Sequence, residues 1–361
     1  MRRKETLRKN GIIPITPFID TLKDERKRPE KVRKLGGTRV FCNPPLDFVI
    51  QCRQNYLHLC AAAMKNRFTQ GHAVGINVAG SEWTMLANRL LKVSNNICTL
   101  DYSNFGPGFN AGVAERVLQL FNRWLKANVE GVDGTELEAM AYELVYSTHI
   151  CANTVYHQKA GSPSGAPITT IINSYVNLFY ISCAWLMMFD REVGENCTIW
   201  EEFREKVCVF VYGDDLIMAI SDEIKDKFNA QTISAFFARF NIVATDSTKS
   251  ENIIPYDTLD NSSFLKHSFQ HHVVFAGVWQ SALGWTSVQD CTQWVWECAD
   301  YKMATYENCK MAIMLAHGHG RHKFEEFKNR VNTALARVGC STVVLSWDEI
   351  DRMSYPDLYG V

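Results

Sequence analysis

Two adjacent carboxylates, in Tyr212-Gly213-Asp214-Asp215, stand between the apolar runs 207–211 (VCVFV) and 216–220 (LIMAI). Each run has the length and composition of a buried strand. The Gly-Asp pair between them suits a two-residue hairpin turn, with glycine first where a positive φ is needed. The carboxylates would then sit at the tip of a hairpin whose strands are anchored in a core. A third carboxylate, Asp101, closes another short apolar run, Ile97-Cys98-Thr99-Leu100, and is followed by Gly106-Pro107-Gly108. Three carboxylates held this way would bind a pair of divalent cations for in-line phosphoryl transfer. Hard cations need oxygen ligands, and Asp101 with Asp214 form the first pair. Asp215 ranks behind them because successive strand residues point to opposite faces.

Between these elements lies a small-residue loop running into an apolar helical stretch, Gly161-Ser162-Pro163-Ser164-Gly165-Ala166-Pro167-Ile168-Thr169-Thr170-Ile171-Ile172-Asn173. Thr169 and Asn173 are four apart and share a helix face. Such a loop beside two polar groups suits a clamp on a sugar-phosphate, although helix capping is the common job of these residue types. Charge is uneven along the chain. Residues 1–40 hold thirteen Lys and Arg against five Asp and Glu, a net of +8, while the whole chain carries −1. The overall balance argues against a wholly basic nucleic-acid binder, and the local excess fits a basic strip meeting phosphates.

Asp101, then Ser164-Gly165 with Thr169 and Asn173, then Tyr212-Gly213-Asp214-Asp215, resemble the successive palm motifs of viral RNA-dependent RNA polymerases, in the picornavirus-like order. Three more segments are similar to motifs of that family. Lys23-Asp24-Glu25 with Gly37-Thr38-Arg39 resembles the basic fingers motif. Ala244-Thr245-Asp246-Ser247-Thr248-Lys249 resembles the segment whose lysine approaches pyrophosphate, and Phe264-Leu265-Lys266 the primer-grip hairpin. The wording Asn104-Phe105-Gly106-Pro107-Gly108 is similar to insect-virus branches, dicistrovirus- or iflavirus-like.

The resemblance implies an α+β right-hand fold with an antiparallel-sheet palm, partial fingers and a helical thumb. Its expected division is fingers at 1–58, palm at 59–111 and 158–262, a fingers insertion at 112–157 and the thumb at 263–361. It implies genome replication by template-directed nucleotidyl transfer from NTPs, with two Mg²⁺ ions (Mn²⁺ substituting) on Asp101, Asp214 and Asp215. Lys23 and Arg39 would neutralise the triphosphate, Arg39 through its planar fork. Lys249 would donate a proton to the leaving pyrophosphate. Ser164, Gly165 and Thr169 would shape the nucleotide pocket, Asn173 would contact the ribose, and Lys266 the primer backbone. In many relatives the residue five after the first aspartate is a second aspartate that senses the ribose 2′-hydroxyl; here it is Gly106. The implied partners are template and primer RNA, NTPs, a protein primer and other viral replication proteins. The implied location is host cytoplasm, at membrane-associated complexes through partners. Relatives carry a longer region before the fingers motif, so the chain is expected to lack part of the fingers. Reverse transcriptases share the carboxylate hairpin, but Ser164-Gly165, Thr169, Asn173 and Lys23-Asp24-Glu25 weigh against that reading. A non-catalytic palm is disfavoured by the presence of all three carboxylates.

At 361 residues, 47% hydrophobic and 21% charged, the composition is that of an ordinary globular protein. The 12 cysteines are scattered and read as reduced thiols of an intracellular protein. Cys298, Cys309, His317, His319 and His322 match no structural zinc spacing. The basic start is followed by Glu5 and Arg8, unlike a signal peptide. The apolar run 176–189 is too short to cross a bilayer and reads as a core helix. Residues 1–58, with Pro14, Pro17, Pro29, Pro44 and Pro45, read as irregular strands and loops. Residues 59–95 and 112–157 read as helical, as do 222–240, 292–316 and 323–337.

Overall fold

The computed structural model describes residues 2–25, 27, 29–191, 198–246 and 252–360. Along it run β1 (Pro17–Leu22), β2 (Val40–Asn43), β3 (Ile97–Tyr102), β4 (Thr148–Cys151), β5 (Thr154–His157), β6 (Val207–Tyr212), β7 (Asp215–Ile220), β8 (Ala244–Thr245), β9 (Ser263–Phe264), β10 (His267–His271) and β11 (Trp279–Leu283). These form three sheets. The N-terminal sheet has the order β2-β1-β4-β5, the central sheet β6-β7-β3-β8 and the C-terminal sheet β11-β10-β9. All pairs are antiparallel except β1–β4. Helices surround the central sheet, giving the expected α+β class.

The central sheet explains why its strands read as unbroken apolar runs. Along β7, Leu216, Met218 and Ile220 face one core with Cys98, Leu100 and Val211. Ile171, Ile172, Val176 and Trp185 of the helix Thr169–Met188 cover that face. Ile217 and Ala219 face a second core with Ile97 and Phe210, covered by Trp83, Leu86 and Leu90 of the helix Ser81–Val93 and by Phe264 and Phe269 of the C-terminal sheet. A strand buried on both sides needs apolar residues at every position. A third core, including Ile313, Phe324, Val331 and Trp347, holds the C-terminal helices together.

Several expectations are corrected. Residues 1–58 contain the helix Arg2–Lys9 and the start of the helix Leu46–Lys65. Pro45, at φ −64°, is the N-cap of the second, so the proline pair starts a helix rather than breaking one. Arg8 is fully buried, meeting Glu143 at 2.5 and 2.9 Å and also bonding Gln51, so it belongs to the core and not to a phosphate-facing strip. The helical reading of 112–157 holds for Ala111–Asn128 and Gly134–Val145 and then gives way to the β4–β5 hairpin. Within 222–240 only Ala230–Ala238 is helical, started by a capping box on Asn229. The helix placed at 292–316 begins at Tyr301, capped by Asp300. The helix Thr169–Met188 is 20 residues long with hydropathy 1.3, enough by length and composition to cross a membrane, so the run 176–189 understated it. Half of that window is buried inside the protein.

Candidate active site

Tyr212 pairs with Asp215, which leaves Gly213 and Asp214 as a two-residue loop. Gly213 has φ +62° and Asp214 has no positive φ, the pattern of a type II′ hairpin. Two side chains of the helix Thr169–Met188 fix this tip. The Gly213 N–H donates to Ser174 Oγ at 2.9 Å. Asn177 Nδ2 donates to the carbonyl oxygens of Gly213 at 3.1 Å and Asp214 at 3.3 Å. Asn177 Oδ1 accepts from the Tyr102 hydroxyl at 3.0 Å, which ties the tip to the end of β3. Ser174 and Asn177 are fully buried. Sequence reasoning missed both; the available signal was two polar residues, three apart, inside an apolar helix.

The β3–β7 register pairs Leu100 with Leu216, so Asp101 lies one step on, level with Asp215. Strand alternation puts both on the face of Ile97 and Ile217. Asp214 is a turn residue, so alternation gives no ground for ranking Asp215 behind it. Asp214 is exposed, while Asp101 and Asp215 are half-buried. On its other side Asp101 pairs with Thr245 of β8. Asp246 follows there, whereas Lys249 lies outside the described residues.

The small-residue loop is stitched to both neighbouring elements. Ser162 N donates to the Gly106 carbonyl at 3.0 Å, and Gly161 N to that of Phe109 at 2.8 Å. Ser164 Oγ accepts from the Cys42 N–H at 3.1 Å. A Cβ on Gly165 would lie 2.2 Å from the Cys42 carbonyl oxygen, so only glycine lets the loop approach β2 this closely. The Thr169 hydroxyl donates to the carbonyls of Pro163 and Ala166, both at 2.8 Å. It straps the loop to the helix and is not a cap, since the N-cap position is Ile168. Asn173 Oδ1 accepts from Ser162 Oγ at 3.4 Å, and its amide faces Gly106, whose Cβ position lies 3.7 Å from Nδ2. The place of the missing second aspartate is therefore directly opposite Asn173.

Lys23 and Arg39 stand opposite each other just beyond the β1–β2 pairing, with Lys23 N donating to the Arg39 carbonyl at 2.8 Å. The Arg39 guanidinium grips Glu25 with two hydrogen bonds, one of 2.9 Å. That grip, with help from Lys27, pushes the Glu25 carboxyl down to about 2. The Arg39 pKa is raised first by Glu25 and to a smaller degree by the charge of Asp214, which places Arg39 within electrostatic reach of the carboxylate tip. Lys266 is exposed at a different place, in the β9–β10 turn of the C-terminal sheet, where Leu265 and Lys266 have φ of +53° and +62°. It is a two-residue hairpin as expected, but none of the contacts described joins Lys266 to the carboxylates.

Comparison with known proteins bears on the family and the fold of the chain. The pattern of the viral RNA-dependent RNA polymerase family matches residues 13–350. The chain is 37% identical over 356 residues to the genome polyprotein of Deformed wing virus, covering 97% of this chain and 12% of that polyprotein. It is 30% identical over 335 residues to the replicase polyprotein of Acute bee paralysis virus, strain Rothamsted, covering 90% of this chain and 17% of that one. The chain thus spans a small part of the relatives it matches. Among solved structures, the Sicinivirus 3Dpol RNA dependent RNA polymerase superposes with a TM-score of 0.79 at 19% identity, over 98% of this chain and 69% of that chain. At that identity the likeness establishes the fold.

Proposed function

The chain belongs to the viral RNA-dependent RNA polymerase family, and on that premise we propose that it extends an RNA primer on an RNA template from NTPs by a two-metal mechanism, for replication of a positive-strand genome. One observation carries the proposal: the β3–β7 register and the Gly213-Asp214 turn bring Asp101, Asp214 and Asp215 to one end of the central sheet.

The donor set fits Mg²⁺. It offers hard carboxylate oxygens, at exposed and half-buried positions that NTP phosphates can reach. Asp101, Asp214 and Asp215 would hold the ions, with Mn²⁺ able to replace them. When bound, the ions lower the pKa of the attacking hydroxyl and neutralise the phosphates. The chain's own groups do the positioning. Arg39, fixed by Glu25, and Lys23 meet the triphosphate. Ser164 and Gly165 present the loop against β2, Thr169 fixes its curvature, and Asn173 offers its amide to the ribose. Lys249 would supply the proton to pyrophosphate, and Lys266 would touch the primer backbone. On this reading the N-terminal sheet belongs to the fingers, the central sheet to the palm and the C-terminal helices to the thumb. A protein primer and partner-mediated recruitment to membranes in the host cytoplasm belong to the same proposal.

Primer extension on a self-priming RNA hairpin with Mg²⁺, comparing NTPs with dNTPs beside Asp214→Ala, tests it. NTP incorporation that Asp214→Ala abolishes supports the reading. Preferential dNTP incorporation, or activity that survives the substitution, overturns it.

A further inference from the structure

The N-terminal sheet carries a row of side chains that nucleotide transfer does not use. Cys42 pairs with Asp20 across β2–β1, and His149 pairs with Tyr156 across β4–β5. His149 Nδ1 meets Asp20 Oδ1 at 2.8 Å between β1 and β4, so each of the four strands contributes one residue. Among the described residues, Asp20, Cys42 and His149 form a group whose potential ligand atoms all lie within 4.8 Å of one another. The contacts around this group are those that orient metal ligands. His149 Nε2 lies 2.8 Å from Ser147 Oγ, which fixes the ring with Nδ1 toward Asp20 and Cys42. A bond of this kind on the second ring nitrogen is the usual companion of a metal-bound imidazole. Tyr156 donates its hydroxyl to the other Asp20 oxygen, and its ring stacks on His149 at 5.1 Å. The His149 side chain is 0% exposed and that of Asp20 2%, whereas Cys42 is half-buried and opens the group toward solvent.

We propose that Asp20, Cys42 and His149 bind a borderline-soft divalent cation of the zinc type, with water in the fourth position. A sulfur, nitrogen and oxygen set in this number is a known zinc pattern, and the thiolate and imidazole select against Mg²⁺ and Ca²⁺. On binding, the Cys42 S–H bond breaks, its proton passes to solvent and a sulfur–metal bond forms. His149 changes tautomer: its ring proton leaves Nδ1, where it bonds Asp20, and a proton on Nε2 donates to Ser147 Oγ. The direct Asp20–His149 hydrogen bond is replaced by a shared ion, with no net change in the protonation of the ring. The consequence reaches the nucleotide loop, because Cys42 also donates its N–H to Ser164 and has its carbonyl against Gly165. An ion on Cys42 would stiffen the strand on which that loop rests.

The test uses the full chain, stripped with EDTA and titrated with Co²⁺ as a spectroscopic probe. The expected result is a near-ultraviolet thiolate-to-cobalt band that saturates at one equivalent and is bleached by Zn²⁺. Cys42→Ser should lose it and Asp214→Ala should keep it. Ser147→Ala should weaken Zn²⁺ binding roughly tenfold, because it removes the hydrogen bond that orients the His149 ring. In the unmutated protein, Zn²⁺ should slow alkylation of Cys42 but not of the exposed Cys151, a readout that needs no variant to fold. No cobalt–thiolate band, a band that survives Cys42→Ser, or unchanged alkylation of Cys42 would overturn the proposal and leave a purely structural hydrogen-bond row.

Discussion

Asn177 and Tyr102 meet through a 3.0 Å hydrogen bond, and Asn177 turns its amide to the carbonyls of Gly213 and Asp214. One buried side chain thus sets the distance between the strand that carries Asp101 and the turn that carries Asp214. Replacing Asn177 with alanine strands the Tyr102 hydroxyl and two carbonyls. The expected loss of stability is about 1–3 kcal/mol, read by chemical denaturation. Primer extension should fall much further, roughly a hundredfold, because small displacements of reacting groups cost that much. Equal losses in the folded fraction and in the rate would show that Asn177 only stabilises.

Gly106→Asp is sterically open, since the new Cβ meets only Asn173 Nδ2, at 3.7 Å. The variant should fold with a change of no more than about 0.5 kcal/mol. The added carboxylate would stand against the Asn173 amide, next to the expected ribose position. NTP-over-dNTP preference should rise about 2- to 10-fold, the worth of one hydrogen bond, measured as a ratio of kcat/KM values. An unchanged ratio would remove Asn173 and its neighbour from sugar selection.

Two glycines of the site separate backbone strain from close approach. Gly213 has φ +62° with nothing within 4 Å of a Cβ, so Gly213→Ala should cost only the conformational penalty, about 1–2 kcal/mol. At Gly165 an added Cβ would strike the Cys42 carbonyl at 2.2 Å. Gly165→Ala should push the loop off β2 and raise KM for NTP more than it lowers kcat. Steady-state kinetics on the two variants distinguish these outcomes.

The Leu265-Lys266 turn holds two non-glycine residues at positive φ. Lys266→Gly should therefore raise stability by about 0.5–1 kcal/mol while removing a charge from the proposed primer contact. RNA binding should weaken, and the slope of log K against log salt should fall by about 0.7–0.9, one phosphate contact's worth. A filter-binding salt series checks the second effect, and a denaturation curve the first.

Arg8 and Glu143 are 135 residues apart in sequence and almost fully buried. Arg8→Met leaves Glu143 buried and unpaired, at an expected cost of about 3–5 kcal/mol. The double variant with Glu143→Leu should recover most of it in the same denaturation assay. If the single variant is as stable as the parent, the pair contributes nothing to the core.

The carboxylate hairpin was legible because both its strands are buried on two faces, which forces unbroken apolar runs around a glycine-led turn. The basic segment was misread at Arg8 because a charge count carries no information on burial, and the partner Glu143 is remote. Ser174 and Asn177 were hidden for the opposite reason: inside an apolar helix they look like tolerated polar residues until their partners on the Gly213 turn are known. The β4–β5 strands were lost in a helical reading because the amphipathic pattern of Ala111–Asn128 and Gly134–Val145 was extended past its end. Asp20 and Cys42 meet across the antiparallel β1–β2 pairing, but His149 is far away in sequence and joins them only through the parallel β1–β4 pairing.

That parallel pairing also dictates an order of events during synthesis. The β6–β7 hairpin joins neighbours and can close as soon as both strands leave the ribosome. β1 has no such freedom, since Asp20 meets His149, 129 residues later. At about 5–20 residues per second, the N-terminal sheet waits roughly 6–26 s for its third strand. Through that interval β1 and β2 form at most an isolated hairpin, marginally stable in water, with Ile19 and Leu22 exposed even in the finished fold. Long-range closure of this kind leaves β1 and β2 aggregation-exposed until the third strand is made, which still happens before β6 and β7, with the carboxylate turn, leave the ribosome.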